Sequence, residues 1–142
     1  MVAAGAAAAG RAGMTDEARG TFEVSLKPLA EADPAISSLA LEKVFSGDLV
    51  GTSVGQMLGL RTAQEGSAGY VAIERVTGTL AGRHGSFALQ HTGTMDRGAA
   101  SATISVVPDS GSQDLTGIRG VMKITVASGK HEYRFDYTLP NE

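Results

Sequence analysis

The stretch His131-Glu-Tyr-Arg-Phe-Asp-Tyr-Thr-Leu139 alternates without a fault. Tyr133, Phe135, Tyr137 and Leu139 fall on one side of an extended chain, and Glu132, Arg134, Asp136 and Thr138 fall on the other. A period of two is the mark of a strand with one face buried and the other in water. The aromatic side must be the inner one, because leaving such side chains in water forgoes roughly 1.5–3 kcal/mol each. Pro140 then stops the strand.

Upstream, the pattern repeats. Gly120 to Ala127 sends Met122, Ile124 and Val126 inward and Lys123 and Thr125 outward, and the pair Ser128-Gly129 is a tight hairpin turn. Pro108-Asp-Ser-Gly111 is a turn, Ser112 to Thr116 is long enough for one helical turn, and Gly117 suits its C-cap. Before these lie strands at 102–107, 86–96, 70–80 and 48–60, the last punctuated by Gly51, Gly55 and Gly59. The polar run 61–69 is a loop, and Ala81 to Gly85 is read as a five-residue turn. A second strand runs through Leu39, Leu41, Lys43 and Phe45. A first runs from Gly20 to Lys27 and is stopped by Pro28, with residues 29–34 connecting the two. Eight consecutive strands without a covering helix would expose one sheet face and two edges, and closure removes the edges. The expectation is an all-β, eight-stranded antiparallel up-and-down barrel in preference to a sandwich.

The 142 residues amount to one domain. A net charge of −3, with basic residues (Lys43 among them) scattered and read as solvated, argues against nucleic acid as a partner. No apolar run approaches the ~20 residues of a membrane helix, so no membrane partner is expected. The absence of cysteine removes disulfides and thiolate chemistry and fits a cytoplasmic location. His84, His91 and His131 have no metal-ligand spacing, so neither metal nor cofactor is expected. Residues 1–19, rich in alanine and glycine, read as a disordered extension before a domain at 20–140, with a weak export signal as the alternative.

Two charged residues fall on inward positions. The fourth strand places Tyr70, Ala72, Glu74, Val76 and Leu80 on one face, and the fifth places Phe87, Leu89, His91 and Met95 on one face. Pairing Leu80 with Phe87 sets Val76 opposite His91 and Glu74 opposite Gly93, with Glu74 and His91 as diagonal neighbours. A carboxylate and an imidazole in an apolar lumen are equipment for proton transfer or for holding a polar group, Glu74 as base or anion partner and His91 as proton donor or orienter. The alternative is a buried polar network in which the two satisfy each other. Tyr70, Phe87, Met95, Met122, Tyr133, Phe135 and Tyr137 are expected to line a cavity for a small apolar or amphipathic molecule. On the other face of the fourth strand, Val71 and Ile73 would be exposed in a monomer and mark a surface for homo-oligomers. Turning that face inward would instead expel Glu74.

The string Gly69-Tyr-Val-Ala-Ile-Glu-Arg-Val-Thr-Gly-Thr-Leu-Ala-Gly-Arg-His-Gly-Ser-Phe-Ala-Leu-Gln-His-Thr-Gly93 carries a resemblance. So do Phe45-Ser-Gly-Asp-Leu-Val-Gly-Thr-Ser53, Val106-Val-Pro-Asp-Ser-Gly111 and the strand 131–140. Together they resemble an uncharacterised bacterial family, a domain of unknown function whose members look like allene oxide cyclase and dirigent barrels. The resemblance spans 21–140 and implies an eight-stranded antiparallel barrel. By analogy of fold it implies a cofactor-free isomerase or cyclase, or a non-catalytic binding or structural barrel.

Overall fold

In the computed structural model, which describes residues 15–140, the chain forms eight strands joined into one closed antiparallel barrel. They are β1 (Asp16–Pro28), β2 (Ile36–Gly47), β3 (Leu49–Arg61), β4 (Ala68–Leu80), β5 (Arg83–Asp96), β6 (Ala99–Val106), β7 (Arg119–Ala127) and β8 (Lys130–Thr138). Each strand pairs with the next. β1 closes the ring by pairing with β8 from Asp16–Tyr137 to Phe22–His131 and with β2 from Gly20–Gly47 to Pro28–Leu39.

The barrel has a filled end and an open end. At the filled end, Phe87 stacks on Phe135 at 5.5 Å and Phe135 on Tyr137 at 5.3 Å, with Leu49 and Leu80 fully buried among the core. The connection after β6 holds a short 3-10 turn, Gln113–Leu115, that brings Leu115 and Ile118 into this core. It is fastened to β5, where Ser112 N–H donates to the Ser86 carbonyl at 2.9 Å and Ser86 N–H donates to Ser112 Oγ at 3.1 Å.

Four expectations are corrected by this register. First, Asp16 to Arg19 belong to β1, so the barrel begins four residues before Gly20. Residues 1–14 of the expected extension lie outside the described residues. Second, the turn between β4 and β5 is the pair Ala81-Gly82, at φ +48° and +86°, the left-handed geometry of a tight hairpin. Leu80 therefore faces Arg83 and not Phe87, Val76 faces Phe87, and Glu74 faces Leu89. Third, Met95 and Val126 are exposed, because their strand ends project past the packed layers at the open rim. Fourth, Lys43 is buried. It shares the inward parity of Leu41 and Phe45, and lumen partners hold its charge.

Tyr133 ties β8 to the β2–β3 hairpin. Its hydroxyl donates to the Ser46 carbonyl at 2.9 Å and accepts the Leu49 N–H at 2.9 Å, over Gly20, where a Cβ would lie 2.6 Å from the hydroxyl oxygen. Tyr133→Phe is expected to leave the Leu49 N–H unpaired inside the core and to lower the unfolding free energy in urea by about 1–3 kcal/mol. A change below about 0.5 kcal/mol would show that the hairpin does not depend on this hydroxyl.

Candidate functional site

Four adjacent strands each send one polar side chain to the same height of the lumen: Lys43 from β2, Ser53 from β3, Glu74 from β4 and His91 from β5. Lys43 is the direct cross-strand partner of Ser53, and Glu74 lies opposite Gly55, one step along β3 on the same face. His91, opposite Ala72, is diagonal to Glu74. The expected Glu74–His91 neighbourhood thus survives the change of register, because both residues keep their inward parity.

Glu74 is the centre of the group and is 0% exposed. Its Oε1 accepts from Lys43 Nζ at 2.9 Å and from His91 Nε2 at 2.7 Å, and its Oε2 accepts from Ser53 Oγ at 2.6 Å. Burial pushes the carboxyl pKa up, but the His91 hydrogen bond, the Lys43 charge and the Ser53 hydroxyl outweigh it and hold the value at about 2. The Lys43 ammonium also sits 4.7 Å from the centre of the Phe22 ring, a cation–π contact that offsets part of its desolvation. Since an ionised carboxylate only accepts, His91 must donate through Nε2. Nδ1 has no hydrogen-bond partner among the described residues. No buried side-chain nitrogen or oxygen is left unpaired there, so Nδ1 keeps some accessible surface.

Above His91 lies Tyr70, with ring centres 6.4 Å apart. The Tyr70 ring lies over Gly93, where a Cβ would overlap it. Burial, and then the Glu74 charge, raise the Tyr70 pKa, so the hydroxyl stays protonated as a hydrogen-bonding group. Tyr70 and Gly93 border a cavity of about 660 Å³ whose apolar wall includes Ile104, Met122 and Ile124. The cavity opens through the barrel wall. β6 and β7 pair only at Ile104–Met122 and Ser105–Val121, and beyond these the strands diverge, so Ala100 to Ala102 and Lys123 to Thr125 form its two lips.

Of the residues expected around a ligand, Tyr70, Met95 and Met122 border this cavity. Phe87, Phe135 and Tyr137 pack in the filled end, and Tyr133 is committed to the β2–β3 hairpin. Lys43 and Ser53 are the members of the polar group that sequence reasoning missed. The parity of Leu39, Leu41, Lys43 and Phe45 was the signal for Lys43. Ser53 carried a weaker one, sharing the parity of Leu49. Among the described residues no three His, Cys, Asp or Glu side chains gather as a metal site, and no helix is long and apolar enough to cross a membrane.

A family model described as a protein of unknown function, DUF3224, matches residues 18–137. The chain belongs to the DUF3224 family. A crystal structure of a DUF3224 protein of unknown function from Shewanella oneidensis MR-1 superposes with a TM-score of 0.85 at 41% identity, covering 90% of this chain and 99% of that one. No curated protein matches the chain. The barrel and the family are thus those expected from the sequence.

Because the Glu74 pKa is depressed on folding, its stabilising contribution is complete above the unfolded value near 4.5. It is lost as pH falls through about 2. Wild-type protein is expected to lose about 3 kcal/mol from this group across that window, and Glu74→Gln should lack this component of the pH slope whatever its absolute stability. Equal slopes in urea titrations of the two proteins would show that the carboxyl is not held down.

Proposed function

We propose that this DUF3224 barrel binds a small, mainly apolar molecule that enters between β6 and β7. The observation that carries the reading is the junction of the two environments. An apolar cavity of about 660 Å³, within the range of small-molecule sites, ends at Tyr70 beside the buried polar group. The apolar body of the ligand rests against Ile104, Met122 and Ile124, and its polar group meets the Tyr70 hydroxyl and His91 Nδ1. With Nε2–H committed to Glu74, a neutral His91 presents Nδ1 as an acceptor, which favours a ligand carrying a hydroxyl donor.

In calorimetric titrations at pH 8, 2-naphthol is expected to bind at least about tenfold more tightly than naphthalene, the difference of one well-formed hydrogen bond. Ala102→Trp, which fills the cavity mouth from an exposed position, should abolish binding of both with the fold intact by circular dichroism. Failure of either probe to bind wild-type protein would sink the reading, as would undiminished binding to the variant.

A second reading, cofactor-free isomerisation or cyclisation, is favoured by the carboxylate–imidazole pair itself. It is also the activity implied by likeness to allene oxide cyclase barrels. In it His91 Nδ1 moves a proton at an enolisable carbon of the bound molecule while Glu74 orients the ring. Glu74, fully enclosed and with a pKa held at about 2, is too weakly basic for the base role first expected of it. Protein-dependent deuterium exchange at the α-carbons of 2-tetralone in D2O, lost in His91→Asn, is the expected result. Exchange equal to that in buffer would leave binding without catalysis.

A further inference from the structure

The outer face of β2, β3 and β4 is apolar where water should favour polar groups. Val44, Val54, Leu58, Leu60, Val71 and Ile73 are all exposed there, Val54 at 57% and Val71 and Ile73 at 52% each. Leu58 and Val71 are direct cross-strand partners, so the residues form a continuous surface and not scattered spots. Their exposed area is on the order of 550 Å², near the upper limit of the patches that monomers tolerate. With Thr52, Gln56 and the flanking charges included, the face approaches the ~800 Å² that each partner contributes to a stable interface.

Charge decides what covers it. One cross-strand row reads Glu42, Val54, Arg75, with Glu42 opposite Val54 on one side and Arg75 opposite Val54 on the other. Glu42 and Arg75 are exposed, and neither forms an ion pair among the described residues. A two-fold axis lying in the interface and running along β3 keeps each row at its own height and exchanges the two flanks. It therefore sets Glu42 of each copy against Arg75 of the other, and Val54 and Leu58 against their own counterparts. An in-plane axis across the strands would instead oppose Glu42 to Glu42. Two barrels touching side by side also meet first along a single strand, and the outward row of β3 includes Val50, Val54, Leu58 and Leu60.

We propose that the protein is a homodimer whose isologous interface is the outer face of β2–β4, with its two-fold axis along β3. The apolar ridge supplies the burial, and the paired Glu42–Arg75 contacts fix the register of one barrel against the other.

Sedimentation velocity across micromolar concentrations is expected to give twice the chain mass. Val54→Lys should yield a monomer that remains folded by circular dichroism, since the side chain is exposed. Arg75→Glu, which opposes two carboxylates at each of two symmetric contacts, should weaken dimerisation about 10- to 100-fold. Glu42→Arg combined with Arg75→Glu should restore it, because the swapped charges again meet their opposites. A wild-type monomer at every concentration overturns the proposal, and so does a dimer indifferent to Val54→Lys. A double variant as dissociated as the single one overturns the axis along β3.

Discussion

β1 is paired along both edges, to β8 by its first half and to β2 by its second, with Gly20 to Phe22 shared between them. This double pairing turns a string of hairpins into a tube. In an open sheet the alternation of side chains separates two faces that both meet a boundary. In a closed one it separates an inside from an outside, and every inward polar group has only the lumen in which to find a partner. The arrangement of Lys43, Ser53, Glu74 and His91 follows from that constraint. Each lies on a strand whose apolar neighbours of the same parity are core residues, so each must be satisfied within the ring.

Satisfying them takes four strands. An unpaired carboxylate in such a place would be neutralised by its own desolvation. Glu74 remains ionised because a cation, an imidazole N–H and a hydroxyl converge on its two oxygens. Bare wall beside it is part of the arrangement: Gly55 stands directly opposite Glu74, and a Cβ there would lie 2.8 Å from the Glu74 Cα. The group spans four neighbouring strands, so it also registers them against one another, a role that apolar contacts perform less selectively.

The barrel was legible from the sequence because alternation is strict where one face is buried, as in Tyr133 to Leu139, and because glycine pairs mark the turns. What was misread depended on a single loop or on charge type. Ala81-Gly82 looks like part of a longer turn because Arg83, His84 and Gly85 are polar or small, yet two residues at positive φ suffice and the strand resumes at Arg83. Lys43 was read by its charge, although its position between Leu41 and Phe45 placed it inside. The aromatic residues assigned to a cavity wall followed parity correctly but not height along the barrel. Phe87 and Phe135 point inward at the filled end, while the cavity lies towards the other end, where β6 and β7 part. Height is set by shear and loop packing, which a list of alternating residues does not contain.

The inner site and the outer face occupy the same length of chain. Glu42 and Lys43, Ser53 and Val54, and Glu74 and Arg75 are consecutive pairs, so the outward row Glu42–Val54–Arg75 lies directly behind the inward Lys43, Ser53 and Glu74. The wall that organises the buried carboxylate is therefore the wall that the proposed partner would cover. A second barrel pressed against β3 would restrain the backbone of Ser53 and its neighbours, holding the Lys43–Glu74–His91 geometry from behind. The β6–β7 opening, on other strands of the ring, would stay clear. Such a division suits a binding barrel: rigidity where the polar group must be held in register, and a slot left unpaired where a ligand must pass.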